Sequence, residues 1–217
     1  EMSLDQIIDR FLALESGVRL PHLRTGKLGD ELQDVAGACE SLRSLPLYID
    51  DTPSPNILQM RAMARRLQAE HGLELLVVDY LQLMSGKRSY ESPVQQVTEI
   101  SRGLKGLAKE LNIPILAISQ LSRAVEQREG RKPRLSDLRD SGSIEQDSDL
   151  VMFIHRDDKI DFDRARKENK INRAQLIIAK HRNGPTGEIS FYVDPASLRF
   201  KTEDKFHTEE YLMGEVI

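Results

Sequence analysis

The sequence has few of the features that mark secreted, membrane-spanning or strongly basic proteins. Its 217 residues include one cysteine, Cys39, which excludes an intramolecular disulfide framework. The longest apolar runs, near residues 75–78 and 113–118, are far shorter than the roughly 20 residues that cross a bilayer. No cationic and apolar leader opens the chain. Together with the lone cysteine, this predicts a cytoplasmic protein in a reducing compartment.

An excess of positive charge is also missing. The formal net charge is -4, which argues against a protein that coats nucleic acid by bulk electrostatics but leaves room for a local basic strip. With 39% hydrophobic residues, the chain is long enough to bury one substantial core. We therefore predict one domain over residues 1–201, followed by a tail over residues 202–217 that has a weak pattern.

Strand and helix patterns alternate along the chain. Pro93 opens a long helix with a buried apolar stripe, and Asn183, Gly184 and Pro185 mark a tight turn. Apolar runs of strand length occupy residues 75–78, 113–119, 150–154, 175–179 and 188–193. This order predicts an α/β fold with a mainly parallel sheet flanked by helices and an antiparallel C-terminal hairpin.

Two further segments have weaker patterns. Residues 45–49 form a short apolar stretch before Asp50, and we interpret them as a strand. Residues 157–173 are rich in charge and poor in large apolar side chains, so we expect a mobile excursion from the core.

Polar residues follow two of the predicted strands. Asp79 comes directly after residues 75–78, and Gln120 follows the next strand, so both are expected at the carboxyl edge of a parallel sheet. A carboxylate at this place can hold Mg²⁺ through water beside nucleotide phosphates. Taken alone, an aspartate after a strand is more often a turn or cap residue, and a lone glutamine is a weaker signal still.

Two cations lie at the end of a later predicted strand. Lys180 and Arg182 are two residues apart, and the period of a strand directs both side chains to the same side. Two cations with one direction suit a phosphate. Without further context, the same pair is commonly a solvated edge that protects a sheet from aggregation.

A local basic stretch precedes the predicted strand at 150–154. Between residues 123 and 139, six cations stand against three carboxylates, a balance of +3 within an acidic chain. The cations are Arg123, Arg128, Arg131, Lys132, Arg134 and Arg139. The alternative interpretation is a basic surface loop with a helix cap at Ser141 or Ser143.

Four phrases of the sequence resemble the RecA-like motor domain of the DnaB family of replicative DNA helicases. They are LLVVDYLQLM over residues 75–84, ISQLSR over 118–123, LSDLRDSGSIEQDSD over 135–149 and KHRNGPTG over 180–187. The third phrase is the most specific. The resemblance covers nearly the whole chain.

The resemblance implies roles for individual residues. Asp79 would hold Mg²⁺ and Gln120 would be the polar sensor, while Lys180 and Arg182 would reach the ATP site of a neighbouring subunit. Arg139, Asp140 and Gly142 would contact the backbone of single-stranded DNA. Asp140 stands where the family often has glutamate, which shortens the reach of its carboxylate.

The start of the chain carries one more resemblance and one absence. The opening residues Glu1-Met2-Ser3 resemble the end of a family motif whose glutamate is the catalytic base. A phosphate-binding loop of the form G-x-x-x-x-G-K-[ST] is absent from the 217 residues, and in the family it lies shortly before that glutamate. We expect a fragment that begins just after the loop and that, alone, binds ATP poorly and turns it over negligibly.

The resemblance implies an ATP- and Mg²⁺-dependent helicase that assembles as a homohexamer, translocates on single-stranded DNA and unwinds duplex at the replication fork. It also implies primase and a helicase loader as partners, with no membrane role. Two alternatives stay open: another RecA-like ATPase, of recombinase or clock type, and a catalytically inactive DNA-binding or assembly domain.

Overall fold

The computed structural model describes residues 2–86, 93–122, 125, 128, 132–195 and 199–202, with the backbone alone at residues 93 and 139–141. The helices in these ranges are α1 (Leu4–Ser16), α2 (Leu20–Thr25), α3 (Leu32–Arg43), α4 (Ile57–His71), α5 (Pro93–Leu111), α6 (Gly142–Asp147), α7 (Asp157–Ile160) and α8 (Phe162–Lys167). The strands are β1 (Leu76–Val78), β2 (Ile115–Ala117), β3 (Leu150–His155), β4 (Arg173–His181), β5 (Gly187–Val193) and β6 (Phe200–Thr202). Short 3-10 helices occupy Gly29–Glu31, Leu81–Leu83 and Leu135–Ser141.

The strands form two sheets. β1 and β2 are parallel, with Leu76 beside Ile115 and Val78 beside Ala117. The other sheet has the order β3-β4-β5-β6, and β5 and β6 are antiparallel. The predicted α/β class is confirmed, although the antiparallel part extends beyond the hairpin that the sequence suggested.

The chain divides into two compact units. The first contains described residues of 1–51, 154–176 and 188–217, and in it α1 packs against α3. Ser3 caps α1 by accepting a hydrogen bond from the Gln6 amide at 3.4 Å. Arg199 ties this unit together by donating to the Leu14 carbonyl at 2.6 Å.

The second unit, residues 52–153 and 177–187, is built around α5. Asn56 and Gln59 form a capping box that starts α4. The predicted stripe of α5 is buried at Val97, Ile100, Leu104, Leu107 and Leu111, although Val94 at its start is exposed. It contributes two residues to each of two hydrophobic clusters, Ile100 and Leu104 to one and Leu107 and Leu111 to the other. Gly103 lets Ile57 of α4 approach closely, since a Cβ there would lie 2.6 Å from Ile57 Cγ1.

The predicted strand at residues 45–49 is wrong. Leu45, Leu47 and Tyr48 are each about half exposed, and no strand is formed at residues 45–49. A β-strand needs a neighbouring strand to satisfy its backbone, whereas the Leu45 and Leu47 amides donate locally, to the carbonyls of Leu42 and Leu45.

The charged segment 157–173 contains α7 and α8, which the sequence pattern did not predict. Ion pairs replace apolar contacts here: Arg156 binds Asp158 at 2.6 Å, and Arg164 binds Glu168 at 2.8 Å. Hydrogen bonds from Arg164 and then Lys170 lower the pKa of Glu168 to about 2.

None of the described helices is long and apolar enough to cross a membrane. The predicted tail lies outside the described residues from 203 onward, and β6 ends at Thr202.

Candidate functional site

The carboxyl edge of the β1–β2 pair brings together the loops that carry Asp79 and Gln120. The Ile118 amide donates to the Val78 carbonyl at 2.9 Å, and the Leu81 amide donates to the Ile118 carbonyl at 2.9 Å. These bonds extend the parallel ladder beyond both strands, so the loop after β1 stays beside the loop after β2. Asp79 and Gln120 are both exposed there, and the peptide bond between Asp79 and Tyr80 is cis.

Gln82 joins the same two loops and is the residue that sequence reasoning missed. Its carboxamide nitrogen donates to the Ser119 hydroxyl at 3.0 Å, and its carboxamide oxygen accepts from the Gln120 amide at 3.3 Å. The side chain therefore engages the β2 loop through both of its polar atoms. A signal was present, since Gln82 is the one polar residue in the run from Leu81 to Met84.

A metal ion at this edge would take one protein ligand from the described residues, the carboxylate of Asp79. Within the described ranges, no group of three or more His, Cys, Asp or Glu side chains is placed to hold a metal ion. Mg²⁺ commonly keeps several waters and takes one or two carboxylates together with phosphate oxygens. A single exposed carboxylate at Asp79 therefore fits a water-retaining Mg²⁺ bound beside phosphates.

Lys180 and Arg182 lie at and just beyond the end of β4, and both contact the carboxyl end of α6. The Lys180 ammonium donates to the carbonyls of Glu145 and Ser148, the latter at 2.9 Å. The Arg182 guanidinium donates to the Gln146 carbonyl at 2.6 Å. The predicted common direction of the two cations is therefore observed, and in this structure they are engaged within their own chain.

Asp149 lies between these cations and α5. One of its carboxylate oxygens pairs with Arg182 at 3.2 Å and the other with Lys105. The hydrogen bond from Lys105 lowers the pKa of Asp149 most, against a smaller opposing effect of burial, and the charges of Lys105, Arg182 and Lys180 lower it further. The carboxylate thus holds a cation from each side.

The residues implied in DNA contact lie just before α6. The backbone of Arg139 and Asp140 belongs to the 3-10 helix Leu135–Ser141, and Gly142 begins α6. Gly142 is exposed, and a Cβ added there would meet no atom within 4 Å. The backbone at Gly142 is therefore open to a ligand.

Asp137 anchors the start of this 3-10 helix. It is 3% exposed, forms an ion pair with Arg128 and accepts a hydrogen bond from the Arg134 amide at 2.7 Å. Residues 123, 124, 126, 127 and 129–131 of the basic stretch fall outside the described residues, as does Glu1, the residue implied as catalytic base.

The geometry of the β1–β2 edge defines a class of protein. A carboxylate and an amide at the carboxyl edge of a parallel strand pair are typical of α/β domains that bind ligands at their strand ends. The family described as DnaB-like helicase C terminal domain matches residues 1–202. The chain belongs to this family, and the resemblance found in the sequence is confirmed.

Relatives and solved structures agree with this membership. The replicative DNA helicase DnaB of Rickettsia typhi is 45% identical over 219 residues, which cover 94% of this chain and 44% of that protein. The replicative DNA helicase DnaB of Geobacillus stearothermophilus is 50% identical over 191 residues, covering 87% of this chain and 41% of that protein. The chain thus spans less than half the length of these curated relatives.

Two solved structures share the fold. One, described as an ATPase domain, superposes with a TM-score of 0.89 at 30% identity, covering 94% of this chain and 72% of that one. A DnaB-like replicative helicase, described with its interactions with primase, gives a TM-score of 0.88 at 30% identity and covers 94% and 49%. These neighbours show that the fold is RecA-like.

Proposed function

We propose that this chain is part of the motor of a replicative DNA helicase, which uses ATP hydrolysis to translocate on single-stranded DNA and unwind duplex at the fork. The observation that carries the proposal is the edge shared by Asp79 and Gln120 in a chain of this family. The family phrases that contain them predict a nucleotide site. The described geometry brings their two loops side by side.

The proposed nucleotide site combines residues of two subunits. Asp79 holds Mg²⁺ through water, Gln120 senses the γ-phosphate, and Glu1 is the base that polarises the attacking water. When bound, Mg²⁺ neutralises the charge of the phosphate oxygens. Lys180 and Arg182 come from the neighbouring subunit and stabilise the charge of phosphoryl transfer. The active assembly is therefore an oligomer, and the family to which the chain belongs implies a homohexameric ring.

The proposed DNA contacts are sequence-independent. Arg139 supplies charge, Gly142 offers its backbone amide, and Asp140 makes the third contact with the DNA backbone. Gly142 supports this assignment because its open surroundings allow close approach. By the family to which the chain belongs, we propose primase and a helicase loader as partners, in the cytoplasm.

The first experiment is intact mass and N-terminal sequencing of the protein from its native source. A native chain that carries G-x-x-x-x-G-K-[ST] shortly before Glu1 supports the motor. A native chain that starts at Glu1, with no complementary fragment, contradicts it and favours an inactive DNA-binding or assembly role. Unwinding of a forked duplex with ATP then separates a helicase from a recombinase, which exchanges strands instead.

A mixing experiment tests the two-subunit site directly. Arg182→Ala and Asp79→Asn should each abolish ATP hydrolysis in the native assembly. If Arg182 acts on its neighbour's nucleotide, rings mixed from the two inactive variants regain intact sites at roughly a quarter of their interfaces. Arg66→Ala, on the surface of α4, is the control and should retain full activity. Mixed rings that stay inactive would contradict an action of Arg182 in trans.

A further inference from the structure

The carboxyl end of α6 is held by the two cations that the family resemblance assigns to the nucleotide of another subunit. Lys180 donates to the carbonyls of Glu145 and Ser148, and Arg182 donates to the carbonyl of Gln146. Carbonyls in the last turn of a helix have no partner within the helix, and a cation there is also favoured by the helix dipole. The two side chains therefore cap α6.

This cap is important because α6 is short. A helix of six residues has little stability of its own in water, so contacts from outside decide whether it persists. From α5, Ser101 donates to the Asp147 carboxylate at 2.8 Å, and the Ser143 hydroxyl donates to that of Thr98 at 3.1 Å. These bonds hold one flank of α6, while Lys180 and Arg182 hold its end.

The other end of α6 is Gly142, the last residue of the proposed DNA-contacting segment. A rigid helix transmits the placement of one end to the other, and α6 is less than two turns long. We propose that Lys180 and Arg182 are positioning residues for DNA binding, which cap α6 and thereby fix the segment from Arg139 to Gly142. This role rests on the proposed function and adds to it a requirement for both cations when no nucleotide is present.

The arrangement has a consequence for the neighbouring nucleotide. A cation that moves to a phosphate leaves the carbonyls of α6 without that donor. The same two side chains would then link the state of the nucleotide to the rigidity of the DNA-contacting segment. A residue that acts on the nucleotide alone would leave DNA binding without nucleotide unchanged.

The test is the affinity of the native assembly for single-stranded oligo-dT, measured by fluorescence anisotropy without nucleotide over a range of salt. Lys180→Met and Arg182→Met should each weaken binding about three- to tenfold, the amount expected for the loss of a hydrogen bond of ordinary net strength. The salt dependence should keep its slope, because neither cation touches a phosphate in this role. Lys109→Met, an exposed lysine on α5, is the matched control and should change affinity less than about twofold.

Amide exchange separates the cap from general damage. In Lys180→Met, exchange at residues 142–147 should speed up while exchange in α5 stays slow, and Arg182→Lys should restore most of the affinity that Arg182→Met loses. A salt slope reduced by about one would mean a direct phosphate contact and would overturn the proposal. Unchanged affinity in both methionine variants would overturn it as well, while failure of the unsubstituted protein to bind oligo-dT would overturn the proposed function with it.

Discussion

The two groups of candidate site residues differ in their exposure to solvent and in their contacts within the chain. Asp79 and Gln120 stand exposed at the β1–β2 edge, where Gln82 bridges their loops. Lys180 and Arg182 are engaged with the carbonyls of α6 and, for Arg182, with Asp149. Groups proposed to bind a solvated metal and a phosphate remain open to solvent, whereas the cations already have partners within their own chain. Asp79 and Gln120 can therefore bind a ligand without rearrangement. Lys180 and Arg182 must leave their contacts with α6 before they can bind a phosphate of another subunit.

The largest effect on activity is expected at the carboxyl edge of β1 and β2, which carries Asp79 and Gln120. Asp79→Asn should reduce kcat for ATP hydrolysis by at least about 100-fold, because it removes the carboxylate proposed to hold Mg²⁺ while keeping the shape of the side chain. Steady-state ATPase assays on the native assembly would measure it. Glu74→Gln, an exposed carboxylate just before β1, is the control. A mild effect of Asp79→Asn would show that this edge is not the metal site.

The support common to both groups is α5, and its two inner glycines provide a matched pair. Gly103→Ala should destabilise the protein by about 1–3 kcal/mol, because the new methyl group would press against Ile57. Gly106→Ala meets no atom within 4 Å and should stabilise α5 by about 1 kcal/mol. Denaturant unfolding would measure both. Equal effects of the two changes would contradict the close approach of α4 to α5.

A smaller effect is expected from the bridge across the open edge. Gln82→Ala should lower kcat for ATP hydrolysis about five- to tenfold, with KM for ATP and DNA affinity unchanged, because the β2 loop loses two hydrogen bonds. Ser119→Ala combined with it should cost less than the sum of the two single changes. Gln95→Ala, an exposed glutamine on α5, is the control. Additive losses would mean that the two side chains act independently.

The smallest effect is expected at Asp149, which pairs with Arg182 and Lys105. Its folded-state pKa is lowered, chiefly by the hydrogen bond from Lys105, so its ionised form stabilises the fold above the usual aspartate pKa. That contribution is lost as the pH falls through the lowered pKa. Titration of the Asp149 carboxyl by NMR should show a midpoint below the usual range, and Lys105→Met should raise it. Lys109→Met should leave the midpoint unchanged, and an unmoved midpoint in Lys105→Met would contradict the pairing.

Much of the fold was predictable because strong local patterns agree with the packing. The apolar stripe of α5 is buried as its spacing predicts, and Asp79 follows β1 as the run before it indicates. The stretch at residues 45–49 has the same apolar character but pairs with no strand in the structure. An apolar run alone does not specify a partner, which is why one such prediction is confirmed and another is wrong.

The contacts of Lys180, Arg182 and Gln82 were less predictable from the sequence. Nothing in the spacing of Lys180 and Arg182 indicates that α6 receives them, and Gln82 carries no signal beyond its polarity within an apolar run. The charged segment 157–173 lacks an apolar period, yet ion pairs such as Arg164 with Glu168 accompany α7 and α8. The contacts of Lys180, Arg182 and Gln82 join residues more than 30 positions apart, and such contacts leave no periodic trace in the sequence. Arg164 and Glu168 are a local i,i+4 pair, which an apolar period does not reveal.

The sequence by itself determined the α/β class, the burial of α5, the shared direction of Lys180 and Arg182, and the family. These depend on local period and on motifs that are read one segment at a time. Tertiary structure alone decided that Gln82 bridges the loops of Asp79 and Gln120, and that two cations at the end of β4 cap α6. Such contacts join segments more than 30 residues apart, and packing of the whole unit brings them within hydrogen-bonding distance.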